Sequence, residues 1–97
     1  ELRNYDVAAR YGGEEFIAVL PDATLKEAVF VADRVRMAVQ AAKFSGALSK
    51  LSLTISLGVA LFGAPACTTV DGFINVADDA LYRAKSLGRN RVEPAGE

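Results

Sequence analysis

The sequence is short of residues on which many enzymes and secreted proteins depend. It has no histidine, so imidazole catalysis is excluded and any metal ion would need oxygen ligands. The single cysteine, Cys67, cannot form an intramolecular disulfide, which favours a reduced, cytoplasmic setting. The apolar runs, such as residues 59–62, are far too short to span a bilayer. Because the net charge is only −1, we expect no DNA or RNA binding and no membrane contact by this segment.

The composition is that of a small globular domain. The chain has 97 residues, of which 52% are hydrophobic and three are proline, so it has room for one core. Its first residue is Glu1 rather than methionine, and we interpret the chain as a piece of a longer protein. The absence of a targeting signal therefore carries little weight.

Three strands are predicted from the hydrophobic pattern. Short strands at residues 7–10 and 16–20 flank the paired glycines Gly12 and Gly13, which supply the positive φ of a hairpin turn. A third strand is predicted at 51–57, where leucine and isoleucine alternate with serine and threonine and place one face on a core, and residues 58–60 extend it.

Two helices and a last strand complete the pattern. A capping box at residues 24–27 begins a helix that should run to about Ala42. A second amphipathic helix is expected over residues 73–87, closed by Gly88, and Val92 opens a short final strand. The order β-β-α-β-α-β predicts an α+β fold in which helices cover one face of a sheet.

Two adjacent carboxylates, Glu14 and Glu15, follow the glycine turn, although neighbouring like charges repel. Taken alone, the stretch RYGGEEF at residues 10–16 fits an ordinary solvated hairpin tip as well as a functional site. Two further segments, LTISLGVA at 53–60 and ADDALYRAKSLGRNRV at 77–92, decide between these interpretations. Together the three segments resemble the C-terminal half of a GGDEF domain, the family of diguanylate cyclases that condense two GTP into cyclic di-GMP.

The resemblance implies a fold and a chemistry for the chain. The fold would be ferredoxin-like or nucleotide-cyclase-like, with an antiparallel-rich sheet. Glu14 and Glu15 would serve both metal binding and catalysis with Mg²⁺ or Mn²⁺, because phosphoryl transfer requires divalent cations and these prefer carboxylate oxygens. Gly12 and Gly13 would let the backbone approach the GTP phosphates. Two full domains, each holding one GTP, would face each other, so catalysis would need a homodimer.

Lys85 and Arg89 are predicted to bind the GTP phosphates. They lie four residues apart on either side of Gly88, so both can point from the same helix end. Basic residues at a helix C-terminus also complement the macrodipole and cap carbonyl groups, and the two roles are compatible.

Other charged and aromatic residues of this region are given structural roles. Asp78 and Asp79 are neighbours on a helix and point about 100° apart, which favours a solvated face over a shared cation. Leu81 and Tyr82 are expected to pack, and the remaining cations are expected to be surface charges: Arg83 and Arg91.

An R-x-x-D motif, Arg3 to Asp6, is separated from Gly12 by five residues, 7–11. At that spacing it resembles the family's inhibitory site for the product, cyclic di-GMP. An arginine fork suits the edge of guanine or a phosphate, and a carboxylate accepts from the guanine N1 and N2 groups. Arg34 is the candidate second arginine of the site, with a solvated arginine beside Asp33 as the alternative.

The resemblance also implies that residues 1–97 are one partial domain. The absent half would carry another metal-binding aspartate, a phosphate loop and the residues that read guanine. We therefore expect activity in the intact protein and none in this segment alone. Two alternatives remain open: a cyclic di-GMP receptor without catalytic activity, and a structural half-domain that self-associates through an exposed sheet edge.

Overall fold

The computed structural model describes residues 7–10, 16–63 and 68–95. The elements follow the predicted order β-β-α-β-α-β, with one short 3₁₀ helix between the first long helix and the third strand. They are β1 (Val7–Arg10), β2 (Phe16–Val19), α1 (Leu25–Ala41), the 3₁₀ helix (Gly46–Leu48), β3 (Leu57–Val59), α2 (Val70–Ser86) and β4 (Val92–Pro94).

The first two strands pair as predicted. β1 and β2 are antiparallel, with Val7 opposite Val19 and Arg10 opposite Phe16. This register leaves residues 11–15 as the connection between the strands. The motif residues on that connection, Gly12, Gly13, Glu14 and Glu15, lie outside the described residues.

The sheet that carries the helices is parallel, so the prediction of an antiparallel-rich sheet is wrong. β3 and β4 run side by side with Leu57 opposite Val92 and Val59 opposite Pro94. Both helices pack against this pair of strands. The reason is the connection between the two strands. Helix α2 returns the chain to the end of the sheet at which β3 begins, so β4 runs in the same direction as β3.

The third strand is shorter than the alternating pattern predicted. Only Leu57–Val59 forms a strand, and residues 51–56 have no regular structure. In the described part of the chain no strand pairs with 51–56, and Leu51 and Leu53 remain 44% and 45% exposed. A segment with an alternating pattern forms a strand only where a second strand supplies hydrogen-bond partners. The sequence does not show how far that partner strand, β4, extends.

Helix α1 begins where its capping box predicts. The hydroxyl of Thr24 accepts from the Glu27 N–H at 3.1 Å, and the Glu27 carboxylate accepts from the Thr24 N–H at 2.9 Å. The helix ends at Ala41, one residue before the expected position. Its inner side carries Ala32, which is 9% exposed.

Helix α2 begins at Val70, three residues earlier than expected. Thr69 is the N-cap, and its hydroxyl accepts from the Gly72 N–H at 3.0 Å. The other end is closed at Gly88, as predicted: Gly88 has φ +124°, and the Arg89 N–H donates to the Ala84 carbonyl at 2.9 Å. This hydrogen bond, from an N–H to the carbonyl five residues earlier, is the 6→1 bond of a Schellman motif.

Small residues bring α2 close to the parallel strands. Ala80 and Ala84 are fully buried, and Gly58 of β3 lies against the α2 backbone. Tyr82, by contrast, is 72% exposed, so its predicted packing role is wrong. Asp78 and Asp79 are exposed, as expected of a solvated face.

Candidate functional site

Lys85 and Arg89 lie together at the C-terminal end of α2. Lys85 is in the last helical turn and Arg89 follows Gly88. Both residues are exposed, and no hydrogen bond or ion pair joins either side chain to another described residue. Within the described residues, therefore, no acidic side chain pairs with these two cations, which face solvent at the end of α2. Their predicted contact with the GTP phosphates stays a prediction.

The turn that carries Arg89 has an uncommon backbone. Gly88, Arg89 and Asn90 follow one another with φ values of +124°, +62° and +46°. A residue other than glycine loses about 1–2 kcal/mol in the left-handed region, although asparagine tolerates it better than most. Such a conformation persists only where the surrounding structure holds it.

Hydrogen bonds to backbone groups of the turn hold it from α2 and from the residue before β3. The Arg89 N–H donates to the Ala84 carbonyl at 2.9 Å, and the Asn90 N–H donates to the Ser56 hydroxyl at 3.2 Å. The Arg91 Nε donates to the Arg89 carbonyl at 3.3 Å. The two non-glycine residues of the turn, Arg89 and Asn90, thus each have at least one backbone group fixed by a neighbour.

Helix α1 holds the turn from the other side through Arg36. The Arg36 side chain is only 17% exposed. Its Nε donates to Asp33 at 2.8 Å, and its Nη1 donates to Gln40 at 3.2 Å and to the Asn90 Oδ1 at 3.1 Å. We call this contact between Arg36 and Asn90 the Arg36–Asn90 clamp. It joins residues 54 positions apart.

Sequence reasoning missed the clamp, although one signal for it was present. Arg36 lies four residues after Ala32, on the side of the predicted helix that carries apolar residues. A cation on that side needs a polar partner nearby, because burial of an unpaired charge is costly. The partner, Asn90, is distant in sequence and could not be chosen from spacing alone.

Arg83 and Arg91 were predicted to be surface charges, and the structure gives both of them partners. The Arg83 Nη2 donates to the Pro94 carbonyl at 2.6 Å and so ties α2 to β4. Arg91 is half-buried and bonds the Arg89 carbonyl. Both residues therefore stabilise the region beside the exposed cations.

Of the predicted inhibitory site, only Arg34 is described. It is exposed on α1, and its guanidinium carbon lies 5.7 Å from the centroid of the Phe30 ring. Its neighbour Asp33 is ion-paired with Arg36. Arg3 and Asp6 lie outside the described residues, so the three-residue site stays a prediction.

The predicted metal ligands Glu14 and Glu15 also lie outside the described residues. Within the ranges 7–10, 16–63 and 68–95, no group of three or more acidic or thiol side chains could hold a metal ion. No helix of the described part of the chain combines the length and apolarity needed to cross a membrane.

The chain matches a known protein family over most of its length. Residues 1–91 match the family described as "Diguanylate cyclase, GGDEF domain". Diguanylate cyclase DosC of Escherichia coli strain K12 is 43% identical over 94 residues, which cover 95% of this chain and 20% of that protein. Diguanylate cyclase A of Treponema denticola is 41% identical over 90 residues, covering 93% of this chain and 24% of that protein. The chain thus spans about a fifth to a quarter of these relatives.

A solved structure shares the fold. The crystal structure of the diguanylate cyclase SiaD in complex with its activator SiaC from Pseudomonas aeruginosa aligns with a TM-score of 0.83 and 38% identity. The alignment covers 97% of this chain and 35% of that chain. From the family match and these relatives, we conclude that the chain belongs to the GGDEF domain family.

Proposed function

We propose that this chain is part of a diguanylate cyclase, which joins two molecules of GTP into cyclic di-GMP and releases pyrophosphate. The observation that carries the proposal is the family match over residues 1–91, with both motif carboxylates, Glu14 and Glu15, present. Because the chain spans only 20% to 24% of the cyclases it resembles, we assign the activity to the intact protein. The 97 residues alone are expected to be inactive.

The proposed reaction is attack by the 3′-hydroxyl of one GTP on the α-phosphate of another. In each attack the hydroxyl loses its proton, a new phosphorus–oxygen bond forms and the bond to pyrophosphate breaks; a second, reciprocal attack closes the ring, so that two pyrophosphates are released. Glu14 and Glu15 would hold Mg²⁺ or Mn²⁺, since hard divalent cations prefer carboxylate oxygens, and the ion would offset the phosphate charge. Gly12 and Gly13 would keep the approach to the phosphates open. Each domain would bind one GTP, so the proposed active form is a homodimer.

Lys85 and Arg89 are proposed to bind the GTP phosphates. Capping of α2 carbonyls by the same side chains is compatible with this role, but backbone groups already bond two of the last carbonyls. The Leu87 N–H donates to the Arg83 carbonyl and the Arg89 N–H donates to the Ala84 carbonyl, each at 2.9 Å. The two side chains are therefore available for a ligand. A helix C-terminus does not itself attract an anion, so these cations would supply the attraction.

Replacing either cation should weaken GTP binding more than it slows the chemistry. Lys85→Gln and Arg89→Gln are each expected to raise the KM for GTP about tenfold to a hundredfold, because a charge-assisted hydrogen bond contributes about 1.5–3 kcal/mol. The measurement is cyclic di-GMP formation by the intact protein at varied GTP. Lys43→Gln, in the exposed segment after α1, is the matched control. An unchanged KM in both variants would show that the phosphates bind elsewhere.

A second function, binding of cyclic di-GMP, is proposed for Arg3, Asp6 and Arg34. It is supported by the fixed spacing between the R-x-x-D motif and the GGEEF motif, and by the exposure of Arg34 on α1. In an active cyclase this site would give product inhibition. In a protein without cyclase activity it would make the chain a cyclic di-GMP receptor.

Calorimetric titration of the 97-residue chain with cyclic di-GMP tests this second function. We expect saturable binding that weakens about tenfold or more in Arg3→Ala, because a good bidentate contact to a base contributes about 1–3 kcal/mol. Lys50→Ala, a cation in the exposed turn before β3, should bind as the parent chain does. Binding that is equally tight in Arg3→Ala would contradict the assignment of the motif.

A further inference from the structure

We propose that Arg36 and Asn90 are positioning residues that orient Arg89 toward the phosphates of GTP. This inference rests on the proposed function, because it takes Arg89 as a phosphate ligand. Neither residue is assigned contact with the substrate. Their action goes through the backbone of the turn that joins Gly88 to Arg91.

The turn contains more left-handed residues than the end of a helix requires. A Schellman motif needs one such residue, and Gly88 supplies it. Arg89 and Asn90 continue in the left-handed region without being needed for capping. Their φ values decide the direction in which the Arg89 side chain leaves the end of α2. Strain that capping does not explain, located at a proposed ligand, points to a positioning role.

The clamp is built to hold that geometry. Arg36 is fixed on α1 by Asp33 at 2.8 Å and by Gln40 at 3.2 Å before it reaches Asn90 at 3.1 Å. Asp33 balances the charge of the mostly buried guanidinium, so the donor to Asn90 is preorganised. Since α1 also packs against β3 and β4, it acts as a firm support for the turn.

Asparagine at position 90 combines two properties that the position uses. It tolerates a positive φ, and its Oδ1 accepts the hydrogen bond from Arg36. Glycine would keep the first property and lose the second, whereas aspartate would keep both. Alanine would lose both. Asn90→Gly therefore removes the hydrogen bond to Arg36 while the new residue still tolerates the positive φ of the backbone.

Steady-state kinetics of the intact protein tests the inference with Asn90→Gly, Asn90→Asp and Arg36→Gln. We expect Asn90→Gly and Arg36→Gln each to raise the KM for GTP about fivefold to tenfold with little change in kcat, since tenfold corresponds to about 1.4 kcal/mol. Asn90→Asp should restore a KM near that of the parent. The double variant Arg36→Gln/Asn90→Gly should be no worse than the worse single variant, because both remove the same bond.

Arg89→Gln and Lys26→Gln complete the series. Lys26 is an exposed cation on α1 that borders the same groove as Arg36 and Asn90 but is bonded to neither of them, so Lys26→Gln should match the parent. If Arg89→Gln raises the KM while Arg36→Gln and Asn90→Gly do not, the positioning role is overturned and the proposed function stands. If Arg89→Gln has no effect, the phosphate contact fails and the positioning role fails with it. A lower kcat at unchanged KM in Arg36→Gln and Asn90→Gly would also overturn the positioning role, because it would show that the clamp only keeps more of the protein folded.

Discussion

Replacement of Gly58 by alanine is expected to destabilise the fold by more than about 3 kcal/mol, at the upper end of the range for overpacked cores. A Cβ at this position would meet the Ala77 carbonyl oxygen and the Leu81 amide nitrogen. Both are backbone atoms of α2 and cannot rotate away. The strand would have to move away from α2, whose side chains Ala80 and Ala84 are fully buried. A domain of this size has only about 5–15 kcal/mol of stability to lose.

Chemical denaturation of the 97-residue chain measures this effect. Gly46→Ala is the matched control: Gly46 has φ +64° but no atom within 4 Å of an added Cβ, so its cost is conformational alone. We expect that control to lose about 1–2 kcal/mol, the usual penalty for a left-handed residue with a side chain. If Gly58→Ala lost no more than Gly46→Ala, the close approach of β3 to α2 would be refuted.

Replacement of Glu15 by glutamine is expected to reduce cyclic di-GMP synthesis by at least about a hundredfold, because the loss of a metal ligand removes several kcal/mol of transition-state stabilisation. Glu14→Gln should have a comparable effect. Glutamine keeps the length of the side chain and removes its charge, so the variant tests the carboxylate rather than the space it fills. The expectation follows from the proposed function of the intact protein.

The assay measures cyclic di-GMP formed from GTP by the intact protein at increasing Mg²⁺. Asp78→Asn is the matched control, because Asp78 and Asp79 are also adjacent acids but lie exposed on α2. That variant should keep parental activity at every Mg²⁺ concentration. Full activity in Glu15→Gln would exclude a catalytic role for this carboxylate. A parental melting temperature in both variants would exclude unfolding as the cause.

Local signals in the sequence were sufficient for the helices and for the first hairpin. The capping box at Thr24 and the glycine at position 88 act on their own neighbours, so each could be recognised without knowledge of the fold. The start of α2 was placed three residues late because Thr69, its N-cap, stands in a segment that reads as a loop. A threonine before a helical pattern was the available signal.

Contacts between distant parts of the chain could not be predicted from such local signals. The alternation over residues 51–57 indicated a strand, yet only Leu57–Val59 pairs with β4. Pairing requires a partner, and its length and direction depend on how α2 returns the chain. The Arg36–Asn90 clamp spans 54 positions and has no sequence motif of its own.

The family, the order of the elements and the candidate residues could all be recognised from the amino-acid sequence; the candidates are Glu14, Glu15, Lys85 and Arg89. This was possible because motifs, caps and hydrophobic periods are properties of neighbouring residues. The parallel direction of the helix-bearing sheet and the strained turn of Arg89, which Arg36 of α1 holds through Asn90, became visible only in the folded chain. The charge of Arg36 is balanced locally by Asp33, but its hydrogen bond to Asn90 and the left-handed backbone of the turn depend on α1 being folded against residues more than fifty positions away.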